Sequence, residues 1–541
     1  MPTFVVLLVL ALTAALGAQQ SGVRPAPVAP HANPVLPADY PDPSVIRVGR
    51  DYWATATTSQ WAPIFPLLHS TDLVNWRHAG SVFQTPPSWS AGSYWAPEIV
   101  TDRGRFFIYY TARRRNGPLC VAVADAPKPL GPYTDRGPVV CQEVGSIDAA
   151  FTRDENGRPY LVWKEDGNSR KLPTPIWAQP LSEDGTKLIG DKQELLRNEA
   201  QWEAHLIEGP FIHRRGDWFY MFYSADACCG RQCNYKLGVV RSRTLLGPWE
   251  RHPGNPILAA NDAWKCPGHG SIVTDPAGRT FLLYHAYDAI DFEYVGRQGL
   301  LDEVTWNREG WPAINRGRGP SRAAPAGAAP RNVPRSPAPI ADDFAKSILD
   351  PRWQWPWDQP EQPRVEPSRG GWLRLRTGEG PVSAAVAVAA RPAPDGSYTA
   401  RAMVDVTSLE PGVRAGIAAF GNRDNLLAIT VQRPDVAAAD RAGEPVTVTV
   451  WQTQKGQTRT RLTEWIGAGD RVYLQLNATD RTRFDFAVST DGKQWKPVVA
   501  EADGGYLPPW DLAVRVALLV AGAPNSAARF GMFELRTSSR N

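Results

Sequence analysis

The sequence predicts an all-β protein, a five-bladed β-propeller followed by a β-sandwich. One observation is a fivefold repeat at spacings of 50 to 61 residues, in which a polar residue, a short apolar run and a turn precede an aromatic strand. Short-strand repeats of this length are typical of propeller blades rather than of helical solenoids. A second observation is a series of alternating strands after residue 340. A third is that no segment has helical periodicity longer than three turns.

The length of the chain indicates how many domains to expect, and its charge bears on whether it binds nucleic acid. A chain of 541 residues is too long for one ordinary core, so we expect at least two domains. Lys plus Arg number 59 and Asp plus Glu number 55, and this near balance gives no support to nucleic-acid binding. The 21 tryptophans fit a β-rich fold, and they also fit a protein that stacks on sugar rings.

The N-terminal segment predicts export. Residues 4–16 form an apolar run that is too short for a membrane span, although no Lys or Arg precedes it. We therefore predict a signal peptide at residues 1–18 and a secreted or periplasmic protein, with an uncleaved anchor as the alternative. Residues 19–32 are polar and Pro-rich and predict an unstructured lead-in. No second apolar run of about 20 residues occurs, so no other membrane contact is expected.

Six cysteines in an exported chain predict disulfides. We expect Cys120 to pair with Cys141 and the other four to form bridges among themselves. A zinc site is the alternative for those four, although the adjacent pair lacks the usual two-residue spacer. The four are Cys228, Cys229, Cys233 and Cys266.

The predicted propeller occupies residues 33–314. Its strands, blade by blade, are 52–58, 63–68 and 70–80; 105–111, 120–124 and 130–137; 160–164 and 175–180; 218–224, 236–241 and 246–253; and 280–287, 299–306 and 310–314. The segments LGPY and LGPW lie at matching places in blades two and four, which strengthens the repeat.

The C-terminal part predicts a separate domain. Residues 315–339 are rich in Pro, Ala, Gly and Arg and predict a linker. Residues 340–541 predict an antiparallel β-sandwich. Its nine strands are 372–376, 397–406, 413–420, 427–432, 446–452, 471–476, 483–488, 512–520 and 528–535. Trp353, Trp355 and Trp357 are interpreted as packing at the domain junction, with sugar contact as the alternative.

Each repeat begins with a polar residue that a propeller would place at its axis. Because equivalent residues of the blades converge there, we expect these side chains to share one site. Four acids in one place raise each other's pKa, a cost that a catalytic site can use. The five residues are Asp42, Glu98, Asp148, Glu208 and His269.

Such a site suits hydrolysis of a glycosidic bond. That reaction needs a protonated carboxyl for the leaving oxygen and an ionised carboxylate that activates water or attacks. A third acid can hold up the pKa of the proton donor. Asp42, Asp148 and Glu208 suit these three roles, but periodicity does not say which residue has which role.

Five short segments resemble glycoside hydrolase family 43. They are PDPS (41–44), WAPE (95–98), SID (146–148), EGPF (208–211) and GHGS (268–271), in that order and at the family's spacing. The resemblance covers residues 33–314. It implies a five-bladed propeller and an inverting enzyme that cleaves arabinofuranosyl or xylosyl linkages in plant polysaccharides or their oligosaccharides.

The resemblance also assigns the acids. Asp42 corresponds to the general base and Glu208 to the general acid. Asp148 corresponds to the residue that orients the sugar and, if ionised, keeps Glu208 protonated. His269 is a candidate substrate contact, with a structural residue of the core as the alternative, and it matches an axial histidine beside which some members hold a calcium ion or a water cluster. No cofactor is implied as required.

The remaining candidates concern substrate binding. Arg297 matches a substrate-holding arginine, with pairing to Asp302 or Glu303 as the alternative. Trp95 and Trp61 suit either sugar platforms or rim packing. Glu98 stands where many members have Asp. The sandwich resembles the concanavalin-like, jelly-roll modules that follow the propeller in many members.

The expected activity is exo-acting, of the α-L-arabinofuranosidase or β-xylosidase type, because an appended sandwich can wall off one end of a groove. An endo-arabinanase is the alternative within the class. A carbohydrate-binding propeller without catalysis is an alternative from another class, against which all three acids argue. A retaining, sucrose-processing propeller fits the WAPE and EGPF segments less well.

Overall fold

Strands dominate the protein. The computed structural model describes residues 28–324, 339–366, 370–379, 386–433, 446–467 and 469–538, so the predicted signal peptide lies outside the described residues. The α-helix in these ranges is the four-residue Phe292–Val295. Among the described helices, none has the length and apolar character needed to cross a membrane. The all-β prediction is confirmed.

Five four-stranded antiparallel sheets form the propeller, each from one contiguous stretch of sequence. Blade one consists of Ser44–Val48, Asp51–Thr55, Ile64–Ser70 and Arg77–Phe83. Blade two consists of Trp95–Asp102, Arg105–Arg113, Leu119–Ala126 and Thr134–Val140. Blade three consists of Ser146–Arg153, Pro159–Glu165, Ile176–Pro180 and Gln193–Leu196. Blade four consists of Ile207–Arg215, Trp218–Ala225, Lys236–Ser242 and Glu250–Arg251. Blade five consists of Trp264–Thr274, Thr280–Asp288, Arg297–Trp306 and Pro312–Ile314.

The first strand of each blade lies innermost. These five strands contact their neighbours in a closed ring, from blade one to blade five and back to blade one. The second strands of blades two, four and five are buried along almost their whole length. Neighbouring blades cover both faces of these strands. Their sequences are therefore continuous runs of apolar and aromatic residues rather than alternating ones.

The ends of the propeller meet beside blade five. His31–Ala32 pairs with Ala323–Ala324 in a two-stranded antiparallel sheet. Leu36 exchanges backbone hydrogen bonds with Gly299, and His31 Nε2 lies 3.0 Å from the Leu301 carbonyl oxygen. The prediction of an unstructured lead-in (19–32) is therefore wrong at residues 31–32, and that of a linker (315–339) is wrong at residues 323–324. The backbone groups of these two segments pair with each other.

Two antiparallel sheets form the sandwich and enclose its apolar core. One sheet contains, in spatial order, Arg364–Glu366, Trp372–Arg376, Ala527–Thr537, Tyr398–Asp405, Arg471–Thr479, Arg483–Ser489 and Lys496–Asp503, and Ile340–Asp342 also pairs with Ala527–Thr537. The other contains Val386–Pro392, Arg515–Ala521, Arg414–Asn422, Asn425–Gln432, Val446–Gln454 and Gln457–Ile466. Short or exposed strands such as Gln457–Ile466 were not predicted, because few of their residues are buried.

The two domains are joined by strand pairing and by a buried ion pair. Trp355–Pro356 of the sandwich segment pairs with Trp61–Ala62 of blade one. Arg515 Nη2 lies 2.9 Å from Asp39 Oδ2, and both side chains are buried.

Trp61 belongs to this junction. It is 2% exposed, and its ring lies 5.8 Å from that of Phe420 and 5.0 Å from the Arg515 guanidinium. The predicted sugar platform at Trp61 is therefore wrong, because the sandwich covers the ring.

Two of the three tryptophans near residue 355 lie at the junction as predicted. Trp355 pairs across it, and the Trp357 ring lies 6.3 Å from that of Tyr94 in the propeller. Trp353 is instead buried in the sandwich core, where its Nε1 donates to Asp342 Oδ2 at 2.9 Å.

All six cysteines are bridged, as predicted. The pairs are Cys120–Cys141, Cys228–Cys229 and Cys233–Cys266. The alternative zinc site is wrong, because its four thiols form two disulfides. Cys120–Cys141 links the third strand of blade two to the residue after the fourth.

Replacing Cys120 and Cys141 together by Ser should lower the free energy of unfolding. A bridge of this kind restricts the unfolded chain and stabilises a protein by about 2–4 kcal/mol. The urea midpoint of the double variant, compared with that of the oxidised parent, measures the loss. An unchanged midpoint would show that this bridge does not stabilise the propeller.

Candidate active site

One residue in a left-handed backbone conformation occurs at the same place in every blade, at or just before the innermost strand. In blades two to five the strand register shifts at this place. Bulges of this kind re-aim side chains at sheet edges and beside active sites. The five residues, with φ between 41° and 58°, are Asp42, Ala96, Asp148, Gly209 and His269.

The bulge corrects the predicted alignment of the repeats. Asp42, Asp148 and His269 do occupy equivalent positions. Glu208 precedes the equivalent residue by one position and Glu98 follows it by two. Glu98 consequently lies in a separate, very small axial cavity together with Ser44, whose Oγ donates to Glu98 Oε2 at 2.8 Å. Burial raises the pKa of Glu98 to about 8. Glu98 does not line the main cavity, contrary to the expected substrate contact.

The main cavity opens at one end of the axis and has a volume of about 870 Å³. Six of the eight predicted site residues line it, and Glu98 and Trp61 do not. A volume of this size suits a small ligand of one or a few rings. The six are Asp42, Trp95, Asp148, Glu208, His269 and Arg297.

Asp42 is surrounded by donors. Thr57 Oγ1 donates to Asp42 Oδ2 at 2.7 Å, and Arg297 Nη1 donates to Oδ1 at 3.1 Å. His269 Nδ1 lies 3.4 Å from the same Oδ1. Burial alone would raise the pKa of Asp42, but the Arg297 and His269 charges outweigh it and hold this pKa well below its usual range. Asp42 is thus an ionised carboxylate at any working pH.

Glu208 is held by a buried lysine and a tyrosine. Lys164 Nζ donates to Glu208 Oε2 at 2.8 Å, and the Tyr235 hydroxyl donates to Oε1 at 2.8 Å. The Lys164 side chain is 1% exposed, and its Nζ also donates to Asp166 and Asn168. Burial would raise the pKa of Glu208, but the charge and hydrogen bond of Lys164 outweigh it and lower this pKa.

Asp148 is the carboxyl that retains a proton. Its Oδ2 accepts from the Gly209 backbone N–H at 3.0 Å and lies 3.9 Å from His269 Nδ1. Burial, with the nearby Glu208 charge, raises the pKa of Asp148 to about 7. In the ligand-free protein the proton of this pair therefore lies on Asp148. This order is the reverse of the one that the resemblance implies, with Asp148 ionised and Glu208 protonated, and it follows from the charge and hydrogen bond of Lys164 on Glu208.

Gly209 shows why the segment EGPF contains a glycine. Its φ is +58°, and a Cβ there would lie 2.9 Å from the His269 ring. A side chain would thus displace the histidine that lies between Asp42 and Asp148.

Four residues that bind Glu208 or come from the sandwich wall are among those that sequence reasoning missed. Lys164 interrupts an apolar strand in LVWKE, and that isolated charge was the available signal. Tyr235 follows the cysteine-rich loop, and no feature of the sequence distinguishes it from a tyrosine of the core. Trp510 and Asp511 come from the sandwich, about 300 residues after Glu208, and no repeat predicts them.

Among the described residues, no group of three or more His, Cys, Asp or Glu side chains has a metal-binding arrangement. The Asp42 carboxylate beside His269 is already bound by Thr57 and Arg297. Calcium beside His269 stays a prediction.

Comparison with known proteins gives the family. Residues 31–312 match the model of glycosyl hydrolases family 43, and residues 341–511 match that of the β-xylosidase C-terminal concanavalin A-like domain. Xylosidase/arabinosidase 43B of Humicola insolens is 30% identical over 53% of this chain, and the match spans 56% of that relative's length. An extracellular exo-α-(1→5)-L-arabinofuranosidase of Cellvibrio japonicus, ArbA, is 29% identical over 51% of this chain and 86% of its own.

Among solved structures, the family 43 protein BlXynB of Bacillus licheniformis superposes with a TM-score of 0.80 at 25% identity. The superposition covers 94% of this chain and 100% of that protein, so both domains and their arrangement correspond. The family model matches more than half of the residues, and the acids at the propeller axis agree with it. The chain therefore belongs to glycosyl hydrolase family 43.

Proposed function

We propose that the protein is an inverting glycoside hydrolase that removes terminal arabinofuranosyl or xylosyl groups from plant polysaccharides or their oligosaccharides. The observation that carries this proposal is the pair formed by Asp42 and Glu208 in one cavity, each held by its own cation. The two acids come from blades one and four. An inverting glycosidase needs two carboxyl groups that differ in protonation and flank the scissile bond.

Asp42 serves as the general base. It stays ionised, because Arg297 and His269 outweigh the effect of burial on its pKa. It can therefore take a proton from a water molecule that attacks the anomeric carbon. Arg297 and Thr57 fix the orientation of its carboxylate.

Glu208 serves as the general acid and Asp148 as its partner. The two carboxyls share one proton near neutral pH, so the pair and not either residue has the relevant pKa. Glu208 acts in the form in which this proton lies on it. That form is lost when the pair deprotonates, near the Asp148 pKa of about 7.

The sandwich supports exo action. Trp510 and Asp511 stand in the wall of the catalytic cavity, and the Trp510 ring lies 6.5 Å from that of Trp95. A wall at one end leaves room for a chain terminus rather than for a continuous chain. The printed names of the Humicola and Cellvibrio relatives agree with arabinosyl or xylosyl substrates.

Export fits this function, because plant polysaccharides lie outside the cell. The Cellvibrio relative is named as extracellular. Residues 1–18 would then act as the signal peptide, and the three disulfides would form in an oxidising compartment.

A substrate screen tests the proposed function. The 4-nitrophenyl α-L-arabinofuranoside and β-D-xylopyranoside should release nitrophenol, and NMR should show inversion at the anomeric carbon. On linear arabinan or xylo-oligosaccharides, monosaccharide should be the first product. Early release of oligosaccharides would favour an endo-arabinanase, and no release from any substrate would favour a non-catalytic propeller.

Asp42→Asn and Glu208→Gln should each lower kcat by about 10²–10⁴-fold, because each removes one proton-transfer group. The reaction should be followed on an unactivated oligosaccharide, with circular dichroism to show that the fold is retained. Glu250→Gln, an acid in the outermost strand of blade four, is the matched control and should keep full activity. A Glu208→Gln variant with a tenth of the parent rate would contradict the assignment.

The alkaline limb of kcat/KM should move in opposite directions in two variants. In the parent the pair loses its shared proton near pH 7, whereas in Asp148→Asn this proton can lie only on Glu208, whose pKa is lowered by Lys164, so the limb should shift to lower pH. Lys164→Met removes a positive charge that lowers the pKa of Glu208, so the limb should shift to higher pH.

Lys192→Met, an exposed lysine of blade three, is the control for the lysine variant. Its profile should match that of the parent. Shifts of the same sign in Asp148→Asn and Lys164→Met would contradict the proposed influence of these two residues on the protonation of Glu208.

A further inference from the structure

Asp511 is an acid of the sandwich domain that stands in the catalytic cavity of the propeller. It lines the same wall as Trp510 and Arg297. Arg297 donates to the carboxylate of Asp42, so Asp511 shares its cavity with the proposed general base and with the arginine that binds it.

The segment that carries Asp511 is fixed on both sides. Val514 N donates to the Tyr294 carbonyl oxygen of the propeller at 3.0 Å, and Arg515 forms the buried ion pair with Asp39. Behind Trp510, a Cβ on Gly230 would lie 2.8 Å from the Trp510 carbonyl oxygen. The Asp511 carboxylate is therefore held in place and is not a mobile surface group.

This carboxylate has few partners. Among the described residues, its one side-chain hydrogen bond comes from Ser59 Oγ at 3.3 Å, and no cation lies within 4.0 Å of it. An ionised carboxylate can accept about four hydrogen bonds, so this half-buried carboxylate retains acceptor capacity. Burial raises the pKa of Asp511, and the Arg297 charge and the Ser59 hydrogen bond oppose that rise.

A carboxylate oxygen with free acceptor capacity in a cavity wall matches the hydroxyl group of a sugar, which donates one hydrogen bond and accepts others.

We propose that Asp511 is a specificity-determining substrate contact that accepts a hydrogen bond from one ring hydroxyl of the terminal sugar. The inference rests on the proposed glycosidase function and deepens it. The catalytic cavity is then built by both domains. The propeller supplies the reacting acids, and the sandwich supplies an acceptor that selects the sugar.

The test pairs a protein variant with a substrate variant. The parent and Asp511→Ala are compared on the 4-nitrophenyl glycoside that the parent hydrolyses best and on its monodeoxy analogues. Asp511→Ala should lower kcat/KM on the full substrate by about 10- to 100-fold, since a hydrogen bond to a charged group is lost. For one deoxy analogue, the loss seen in the parent should be absent in the variant, because hydroxyl and acceptor act as a pair.

Asp511→Asn keeps the packing of the loop and covers the case in which the Ala variant does not fold. It should lose less on the full substrate and show reduced coupling to the same hydroxyl. Asp424→Asn, an exposed acid of the same domain, should behave as the parent.

Deoxy losses that are equal in the parent and the variants would overturn the inference, because a merely structural residue lowers activity without coupling to one hydroxyl. Unchanged activity of both Asp511 variants would also overturn it while leaving the proposed function intact. A parent that hydrolyses none of the glycosides would overturn both.

Discussion

Mutual repulsion of three carboxylates around one axis is the constraint on which the rest of this site depends. Two buried cations offset it, Arg297 against Asp42 and Lys164 against Glu208. Asp148 has no lysine or arginine within 4.0 Å among the described residues, and it retains the proton. The ionisation of each acid therefore follows from which neighbour it has, more than from its place in the repeat. The pKa of each acid, and with it the protonation state, would change if the neighbouring cation were moved.

The repeat was enough to predict the propeller, its five blades and the three acids that converge at its axis. Periodicity placed Asp42, Asp148 and His269 correctly, because these residues are equivalent in the structure. It misplaced Glu98, because one left-handed residue per blade re-aims the following side chains and cannot be seen in a pattern of polar and apolar residues. Trp61 was misjudged for a different reason. The sequence indicates that Trp61 belongs to blade one, but not that another domain covers its ring.

The sandwich strands were predicted where alternation was strong. Short or exposed strands were missed, and so was Val386–Pro392, whose five central residues are all buried and therefore do not alternate. Lys164, Trp510 and Asp511 were missed because their function depends on contacts between distant parts of the chain. No local pattern distinguishes a lysine that binds a buried glutamate of the site from one that ends a strand. The domain junction has the same property. Its buried ion pair joins residues that are 476 positions apart, Asp39 and Arg515.

The pairing of His31–Ala32 with Ala323–Ala324 has a consequence for how such proteins diversify. Each blade is complete within its own stretch of sequence, and the two ends of the propeller lie side by side. A unit with adjacent ends can be transferred between genes, or inserted into a host protein, without opening its ring. A recombined propeller would keep its reacting acids but acquire whatever cavity wall its new neighbour supplies. Exchange of the attached domain would then change the sugar specificity of the enzyme while its catalytic centre stayed the same.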